Sequence, residues 1–400
     1  MAITPAQQIV PNTSTFVPAP RQRPFQRVST DACVALALLL LLLIATELVS
    51  FAALRVFQSS MQGALNKPYI YEDRQWANAY WSEFAKSDRN EYKSYIVWRR
   101  APFSGRYINI DESGNRRTVN PNCTPSAYNI WMFGASTLWG TGVSDDQTIP
   151  SLLSKKHAGT IGPVCVTNYG ETGFVNTQEV VQLMLALKHA PRKPALVVFY
   201  DGTPDAFAPF ETDKGDVHAN FERIREQVEK ARGKKGGFAY FTETNTGRLL
   251  TAVLSELRRR QAMGSAPATP VPNLEAMARV TATNYLENMR VVQGLSRAYG
   301  FRYVSIWAPT IFLGHKPLSK EERALLKLYD TETPGEGELF RETYDALFSK
   351  GDQHIVDAEG MFDQTDESLY LDIAHTGSRG NRIAANRIFE ILHERGLLQE

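Results

Sequence analysis

The sequence predicts a three-layer α/β/α sandwich, with a parallel β-sheet between two layers of helices, preceded by one transmembrane helix. Two observations predict this architecture. Over residues 125–400, short and continuously apolar segments alternate with helix-like segments, as in parallel α/β proteins. Near the N-terminus, residues 32–46 are rich in leucine and include no charged residue. Of the 400 residues, 43% are hydrophobic and 22% are charged, a composition typical of globular proteins.

Charge and cysteine content exclude several classes of protein. Lys and Arg total 44 against 43 for Asp and Glu, so the chain lacks the basic surface that nucleic acids require. Its three cysteines are too few for a disulfide scaffold, and none has the spacing of a zinc site. We therefore expect no nucleic-acid partner, no metal and no cofactor.

The leucine-rich segment at residues 32–54 is predicted to be a membrane anchor. No charged residue lies between Ala32 and Thr46. The segment has about 23 residues and is about 34 Å long as a helix, enough to cross a bilayer core. The alternative is a cleaved signal peptide, because Ser50–Ala52 offers small residues at the spacing of a cleavage site. The long polar leader and the long apolar segment favour a retained anchor.

Basic residues on one side of this anchor predict its orientation. Arg21, Arg23 and Arg27 precede it, which favours a cytoplasmic N-terminus and places the rest of the chain outside the cytoplasm, in the periplasm or extracellular space. Residues 1–31 are rich in proline and in small polar residues and are predicted to be a disordered cytoplasmic tail.

Residues 55–124 are predicted to form a helical stalk and an irregular lead-in to the domain at 125–400. Within this domain, residues 206–273 interrupt the alternation with two charged helices at about 218–232 and 247–262. We interpret them as an insertion over the C-terminal edge of the sheet. The other predicted elements are strands at 128–133, 164–168, 195–200, 303–308 and 354–356 and helices at 149–156, 177–189, 274–299 and 378–395.

The first predicted strand is followed by Gly134-Ala-Ser136. Its position places Ser136 at the carboxyl end of a parallel strand, where open α/β sheets bind their ligands. Most serines in such a position cap a helix or form a turn. A catalytic role for Ser136 therefore requires a base elsewhere in the chain.

Two of the seven histidines follow an acidic residue by three positions. Glu390 and His393 lie within the amphipathic final helix, where the spacing indicates an exposed helical pair. Asp372 and His375 instead precede that helix, in a loop that can turn the carboxylate onto one imidazole nitrogen. The other nitrogen is then free to accept a serine proton, as nucleophilic acyl transfer requires.

Four short blocks in this order resemble the SGNH (GDSL-type) hydrolase family over residues 125–395. The blocks are Gly-x-Ser-x-x-x-Gly at 134–140, Asn-Tyr-Gly-Glu-Thr-Gly at 168–173, Asp-Gly-Thr-Pro-Asp at 201–205 and Asp-x-x-His at 372–375. The resemblance implies a flavodoxin-like parallel sheet and a serine hydrolase active site.

The resemblance also implies a role for each residue of the predicted site. Ser136 is the nucleophile, His375 the base and Asp372 the acid that orients the base. The backbone N–H groups of Ser136 and Gly173 form part of the oxyanion hole.

The third block departs from the family pattern. The family has an asparagine side chain as a further oxyanion donor where this chain has Pro204, which has no donor at all. Loss of one such donor typically slows turnover about 100- to 1000-fold. Either the Thr203 hydroxyl replaces the donor, or the oxyanion hole is incomplete, or Pro204 only shapes the loop that leads into the insertion.

Two cysteines lie in the predicted extracytoplasmic part. Cys123 precedes the first strand and Cys165 lies in the second. Neighbouring parallel strands start side by side, so Cys123 and Cys165 can come within bonding distance. In an oxidising compartment they can form a disulfide; the alternative is two free thiols. Cys33 lies at the membrane and is expected to be free.

The expected function is that of a membrane-anchored, extracytoplasmic serine esterase or O-acyltransferase. Its expected substrate is an acyl ester, and the sequence does not distinguish between an ester of an envelope polysaccharide, of a lipid and of a small molecule. The alternative is a catalytically weak or silent binding or scaffold protein for an envelope glycan or protein partner, as Pro204 suggests. No particular protein partner or oligomeric state is predicted.

Overall fold

The computed structural model of the chain describes residues 30–65, 71, 74–121, 123–156, 162–232, 241–242, 244–264 and 273–398. The predicted tail at 1–31 lies outside these residues, except for its last two positions. The N-terminal part contains the helices α1 (Thr30–Leu65) and α2 (Arg74–Ser87) and two short antiparallel hairpins, β1 (Asn90–Lys93) with β2 (Val97–Arg100) and β3 (Phe103–Ser104) with β4 (Asn109–Ile110).

A five-stranded parallel sheet forms the centre of the domain, in the order β6-β5-β7-β8-β9. This is the 2-1-3-4-5 order of a flavodoxin-like sheet, whose ligand crevice lies where the order reverses, between β5 and β7. The predicted fold class is confirmed. The strands are β5 (Tyr128–Gly134), β6 (Val164–Asn168), β7 (Leu196–Asp201), β8 (Arg302–Trp307) and β9 (Ile355–Asp357).

Helices cover both faces of the sheet because successive strand residues point to opposite faces. Ile130 and Met132 of β5 pack in one apolar layer, whereas Trp131 and Phe133 pack in the other. The helices are α3 (Ser136–Trp139), α4 (Ile149–Ser154), α5 (Asn176–His189), α6 (Thr203–Thr212), α7 (Phe221–Arg232), α8 (Asn245–Gly264), α9 (Leu274–Tyr299), α10 (Lys320–Glu332), α11 (Glu336–Phe348) and α12 (Ser378–Glu394).

The layers consist of α4 and α12 on the first face and of α5 and α9 on the second. The two charged helices predicted within residues 206–273 correspond to α7 and α8. The helices α10 and α11, between β8 and β9, are not among the predicted elements.

The segment before the sandwich is more regular than the predicted stalk and lead-in. Tyr80 of α2 and Ile108 beside β4 are fully buried and form a small core with Trp139 of α3. Trp76 stacks on Tyr80 with ring centroids 5.2 Å apart. The aromatic residues of this segment therefore cover the loop that follows the first strand of the sheet.

The helix α1 contains one segment, Thr30–Val56, that is long and apolar enough to cross a membrane. The carboxylate of Glu47, in this segment, accepts hydrogen bonds from the N–H groups of Asn245 (2.8 Å) and Thr246 (3.1 Å). The Ser50 and Thr246 hydroxyl oxygens are 3.1 Å apart. The start of α8 thus contacts α1 and supplies hydrogen-bond donors to Glu47.

The three cysteines differ in their surroundings. Cys123 and Cys165 form a disulfide with a Cα–Cα distance of 4.6 Å, which links the segment before β5 to β6. Cys33 is exposed on α1 and has a free thiol.

Candidate active site

Ser136 begins α3, two residues after the end of β5. The chain passes close to β7 at this point, because a Cβ atom at Gly134 would lie 2.3 Å from the carbonyl oxygen of Tyr200. Gly140 ends the short helix with a φ of +97°, a backbone conformation that favours glycine. The two glycines of the first block thus permit the tight strand-to-helix turn that presents Ser136 at the sheet edge.

A continuous chain of hydrogen-bonding groups joins Ser136, His375 and Asp372. The Nε2 atom of His375 is 2.7 Å from the Oγ atom of Ser136, and its Nδ1 atom is 2.7 Å from Oδ2 of Asp372. The other carboxylate oxygen of Asp372 accepts the N–H groups of Ala374 (3.0 Å) and His375 (2.9 Å). The structure therefore brings together three predicted site residues, and the loop backbone fixes the direction of the carboxylate.

The electrostatics of this array favour an ionic form of the histidine–aspartate pair. Burial alone would lower the pKa of His375, but the charge and hydrogen bond of Asp372 raise it above its usual value. Burial would raise the pKa of Asp372, but His375 and the two backbone N–H groups lower it. Asp372 is thus an anion that can stabilise a protonated His375, which is what a base needs after it accepts a proton.

The predicted oxyanion donors lie at the same sheet edge. Gly173 follows β6 and has a φ of +75°. Within the described part of the chain, neither the N–H of Ser136 nor that of Gly173 donates a hydrogen bond. Trp98 covers this loop, since its indole N–H donates to the Thr172 carbonyl oxygen (3.1 Å) and its ring would lie 3.7 Å from a Cβ at Gly173.

The third block follows β7, the strand that pairs with β5 ahead of Ser136. Gly134 pairs with Tyr200 in the parallel register of β5 and β7, so the residues that follow each strand emerge side by side. The Oγ1 atom of Thr203 is buried and has no hydrogen-bond partner among the described residues. Pro204 lies in the first turn of α6, where its missing N–H costs no helical hydrogen bond. Pro204 thus shapes the start of α6, and Thr203 carries a donor that is not otherwise used.

A buried ionic cluster holds the second block in place. Glu171 is fully buried, accepts the N–H of Arg100 (2.9 Å) and lies 3.6 Å from Nε of Arg99. The Arg99 guanidinium also donates to the carbonyl oxygen of Tyr169 (2.9 Å). Sequence reasoning missed this cluster, because β2 and the second block lie about 70 residues apart and no local pattern links them.

Three buried carboxyl groups lie where the start of α5 meets the third block. Asn176 at the start of α5 donates through its side chain to Asp201 (2.8 Å) and through its N–H to Asp205 (3.0 Å). The Tyr285 hydroxyl also donates to Asp201. Burial, together with the nearby Asp201 charge, raises the pKa of Glu179 well above its usual value. The buried Glu179 carboxyl therefore favours its neutral, protonated form more strongly than an exposed glutamate does.

Within the described ranges, no group of three or more His, Cys, Asp or Glu side chains is arranged to hold a metal ion. The functional groups at the sheet edge are a hydroxyl, an imidazole, a carboxylate and backbone N–H groups. This combination suits proton transfer and the stabilisation of an oxyanion.

The fold and this array define a class: an α/β sandwich with a serine, histidine and aspartate at the switch point of its sheet. No family model and no curated relative matches the sequence. Solved structures similar to the chain include a G-D-S-L family lipolytic protein from Veillonella parvula, with 13% identity and a TM-score of 0.34, and the match covers 66% of this chain and 98% of that one.

Two esterases are also similar to the chain. An acetylxylan esterase from Geobacillus stearothermophilus has 11% identity and a TM-score of 0.34, with 68% of this chain and 94% of that chain covered. The psychrotrophic esterase EstA from Pseudoalteromonas has 10% identity and a TM-score of 0.31, with 67% and 97% covered. The fold assignment rests on the strand order of this chain and not on these matches.

Proposed function

We propose that the protein is a membrane-anchored serine esterase or O-acyltransferase of the SGNH type. The observation that carries the proposal is the hydrogen-bonded array of Ser136, His375 and Asp372 at the sheet's ligand-binding edge, with two contacts of 2.7 Å. An aligned hydroxyl, imidazole and carboxylate are the groups required to activate a serine.

The proposed reaction proceeds through an acyl-enzyme. The Oγ atom of Ser136 attacks the acyl carbonyl carbon while His375 accepts the hydroxyl proton through Nε2. The tetrahedral intermediate collapses, and His375 gives this proton to the leaving alcohol. Water or an acceptor hydroxyl then attacks the acyl-enzyme, gives its proton to His375, and releases the acid or a new ester as the proton returns to Ser136. Asp372 stabilises the protonated imidazole in both halves of the reaction.

Three donors would stabilise the oxyanion. The N–H groups of Ser136 and Gly173 supply two of them, and the Thr203 hydroxyl supplies the third. The unpartnered, buried Oγ1 atom of Thr203 supports this role, since a buried donor without an acceptor is unfavourable unless a ligand satisfies it. In this arrangement Pro204 does not disable the site, and the enzyme is favoured over the silent binding protein.

The substrate is proposed to be an acyl ester outside the cytoplasm and near the membrane. The apolar segment Thr30–Val56 supports an anchor, and the preceding Arg21, Arg23 and Arg27 support a cytoplasmic N-terminus. The disulfide between Cys123 and Cys165 also supports an oxidising compartment.

Ester hydrolysis by the full-length protein in detergent micelles tests this function. With p-nitrophenyl acetate as the probe, Ser136→Ala should lower kcat by about 10⁴-fold or more, because the nucleophile is lost. Ser349→Ala is the matched control, since that exposed hydroxyl donates only to the carbonyl oxygen of Ala346. Equal turnover by the wild type and Ser136→Ala, or no turnover by the wild type, would contradict the proposal.

A further inference from the structure

An open cavity of about 760 Å³ lies where the N-terminal segment meets the sandwich. Trp76 and Tyr107 from the N-terminal segment line one wall. The loop after α3 lines a second wall, and the start of α12 lines a third. This N-terminal wall lies outside the part of the chain that resembles the SGNH family, so the cavity is a feature of this chain.

The cavity borders the proposed active site through two segments of the chain. The loop that contributes Val143 and Ser144 continues directly from α3, which begins with Ser136. The wall that begins at Gly377 starts two residues after His375. A ligand bound in the cavity would thus lie along the same two segments that carry the proposed nucleophile and base.

Hydrogen bonds fix the aromatic wall to the first of these segments. The Tyr71 hydroxyl donates to the carbonyl oxygen of Gly142 (2.9 Å), and the N–H of Gly142 donates to the Tyr80 hydroxyl (2.9 Å). The rings of Tyr71 and Trp76 are 5.3 Å apart, and Trp76 is half-buried at the cavity wall. The wall is therefore held to the loop that follows Ser136.

The charges of the lining favour an anion. Arg106, Arg379 and Arg382 line the cavity, against the single carboxylate of Asp146. Arg379 is paired with Glu367 at 3.1 Å, and the Arg106 guanidinium lies over the Tyr107 ring. The hydroxyl of Ser144 and the amide of Gln147 hydrogen-bond to Asp146 and lower the pKa of its carboxyl, although burial alone would raise it. The cavity thus keeps a net positive charge beside half-buried aromatic rings.

We propose that this cavity binds an acidic saccharide segment of the substrate whose ester Ser136 attacks. The inference rests on the proposed function and narrows its substrate to an ester on an anionic glycan. Aromatic rings pack against the C–H faces of sugar rings, while guanidinium groups pair with sugar carboxylates. An acyl chain of a lipid would need an apolar cavity, whereas arginines and other polar groups form most of this lining.

Direct binding tests this proposal without the need for turnover. Full-length Ser136→Ala protein in detergent micelles is titrated by calorimetry with an oligogalacturonate hexamer and, in parallel, with a neutral galactan oligomer of the same length. We expect the acidic oligomer to bind at least about 10-fold more tightly, and we expect the difference to shrink as salt is raised from 50 to about 500 mM.

Arginine variants in the same background locate the site. Arg382→Gln and Arg106→Gln should each weaken binding of the acidic hexamer about 5-fold, because each removes one exposed ion pair between an arginine and a sugar carboxylate. Arg387→Gln is the matched control, since Arg387 lies on the same helix but pairs with Glu390 and Glu394 and does not line the cavity. All three arginines are partly exposed, so each variant should melt at the temperature of its parent.

The outcomes separate this inference from the proposed function. Equal affinity for the two oligomers, no detectable binding of either, or an equal effect of Arg382→Gln and Arg387→Gln would overturn the saccharide site. If the wild type does not hydrolyse esters but still binds the acidic oligomer selectively, the proposed esterase activity is wrong and the saccharide site stands.

Discussion

The Thr203 hydroxyl is predicted to act only in the transition state, and Thr203→Val tests this. The substitution keeps the volume and branching of the side chain but removes its hydroxyl. In the free protein this hydroxyl is buried and unpartnered. Its removal therefore breaks no hydrogen bond, and the free energy of unfolding should stay the same or rise by up to about 1 kcal/mol.

The effect on catalysis should be large by comparison. One oxyanion donor typically contributes about 100-fold or more to turnover, which corresponds to about 2.7 kcal/mol of transition-state stabilisation. Because the donor interacts with charge that develops during the reaction, kcat should fall and KM should change little. Thr203→Ser keeps the hydroxyl and should retain turnover within about 5-fold of the wild type.

The assay combines steady-state hydrolysis of p-nitrophenyl acetate with thermal unfolding of each variant. A stable Thr203→Val protein with strongly reduced kcat supports the role in the oxyanion hole. Three results would refute the reasoning: turnover of Thr203→Val within about 3-fold of the wild type, loss of activity only in step with lost stability, or equal defects in the valine and serine variants.

Three further predictions concern pH and the contact between α1 and α8. Because Asp372 raises the pKa of His375, kcat/KM should fall on the acid side with a midpoint above pH 6.5. Asp372→Asn should lower both that midpoint and the rate, and an unchanged midpoint would contradict this. Burial raises the pKa of Glu179 in the folded state, so stability should decline as pH rises above about 4.5, the usual pKa of the unfolded glutamate. Glu179→Gln should weaken that decline in thermal unfolding, and parallel pH curves for the two proteins would contradict this. The double variant Ser50→Cys, Thr246→Cys should form a disulfide, visible as a reductant-sensitive gel shift. A protein that does not cross-link would contradict the contact between α8 and α1.

The sequence predicted the sheet and the serine–histidine–aspartate array because both leave local signals. Buried parallel strands are short apolar segments, and their carboxyl ends meet at one edge. The spacing of Asp372 and His375, just before the last helix, allowed the carboxylate to turn onto the imidazole. The structure places His375 in contact with Ser136 across 239 positions of sequence, with Asp372 on the other side of the imidazole.

Other features depend on tertiary contacts that no local pattern encodes. Arg99 and Arg100 lie in the predicted irregular lead-in, but they are buried against Glu171. Trp76 and Tyr80 lie in the predicted stalk, yet they cover the loop after α3. The sequence also left the role of Pro204 open. The structure shows that Pro204 lies in the first turn of α6 and that the hydroxyl of its neighbour Thr203 is an unused donor.

The central claim is that His375 and Asp372 activate Ser136 as a nucleophile. Fluorophosphonate labelling of the purified full-length protein tests it directly, because the probe reacts with activated serines and requires no knowledge of the substrate. We predict one covalent adduct, mapped by mass spectrometry to Ser136, that is absent from Ser136→Ala and strongly reduced in His375→Ala. Equal labelling of the wild type and Ser136→Ala, or an unlabelled wild type that is folded, would contradict the claim.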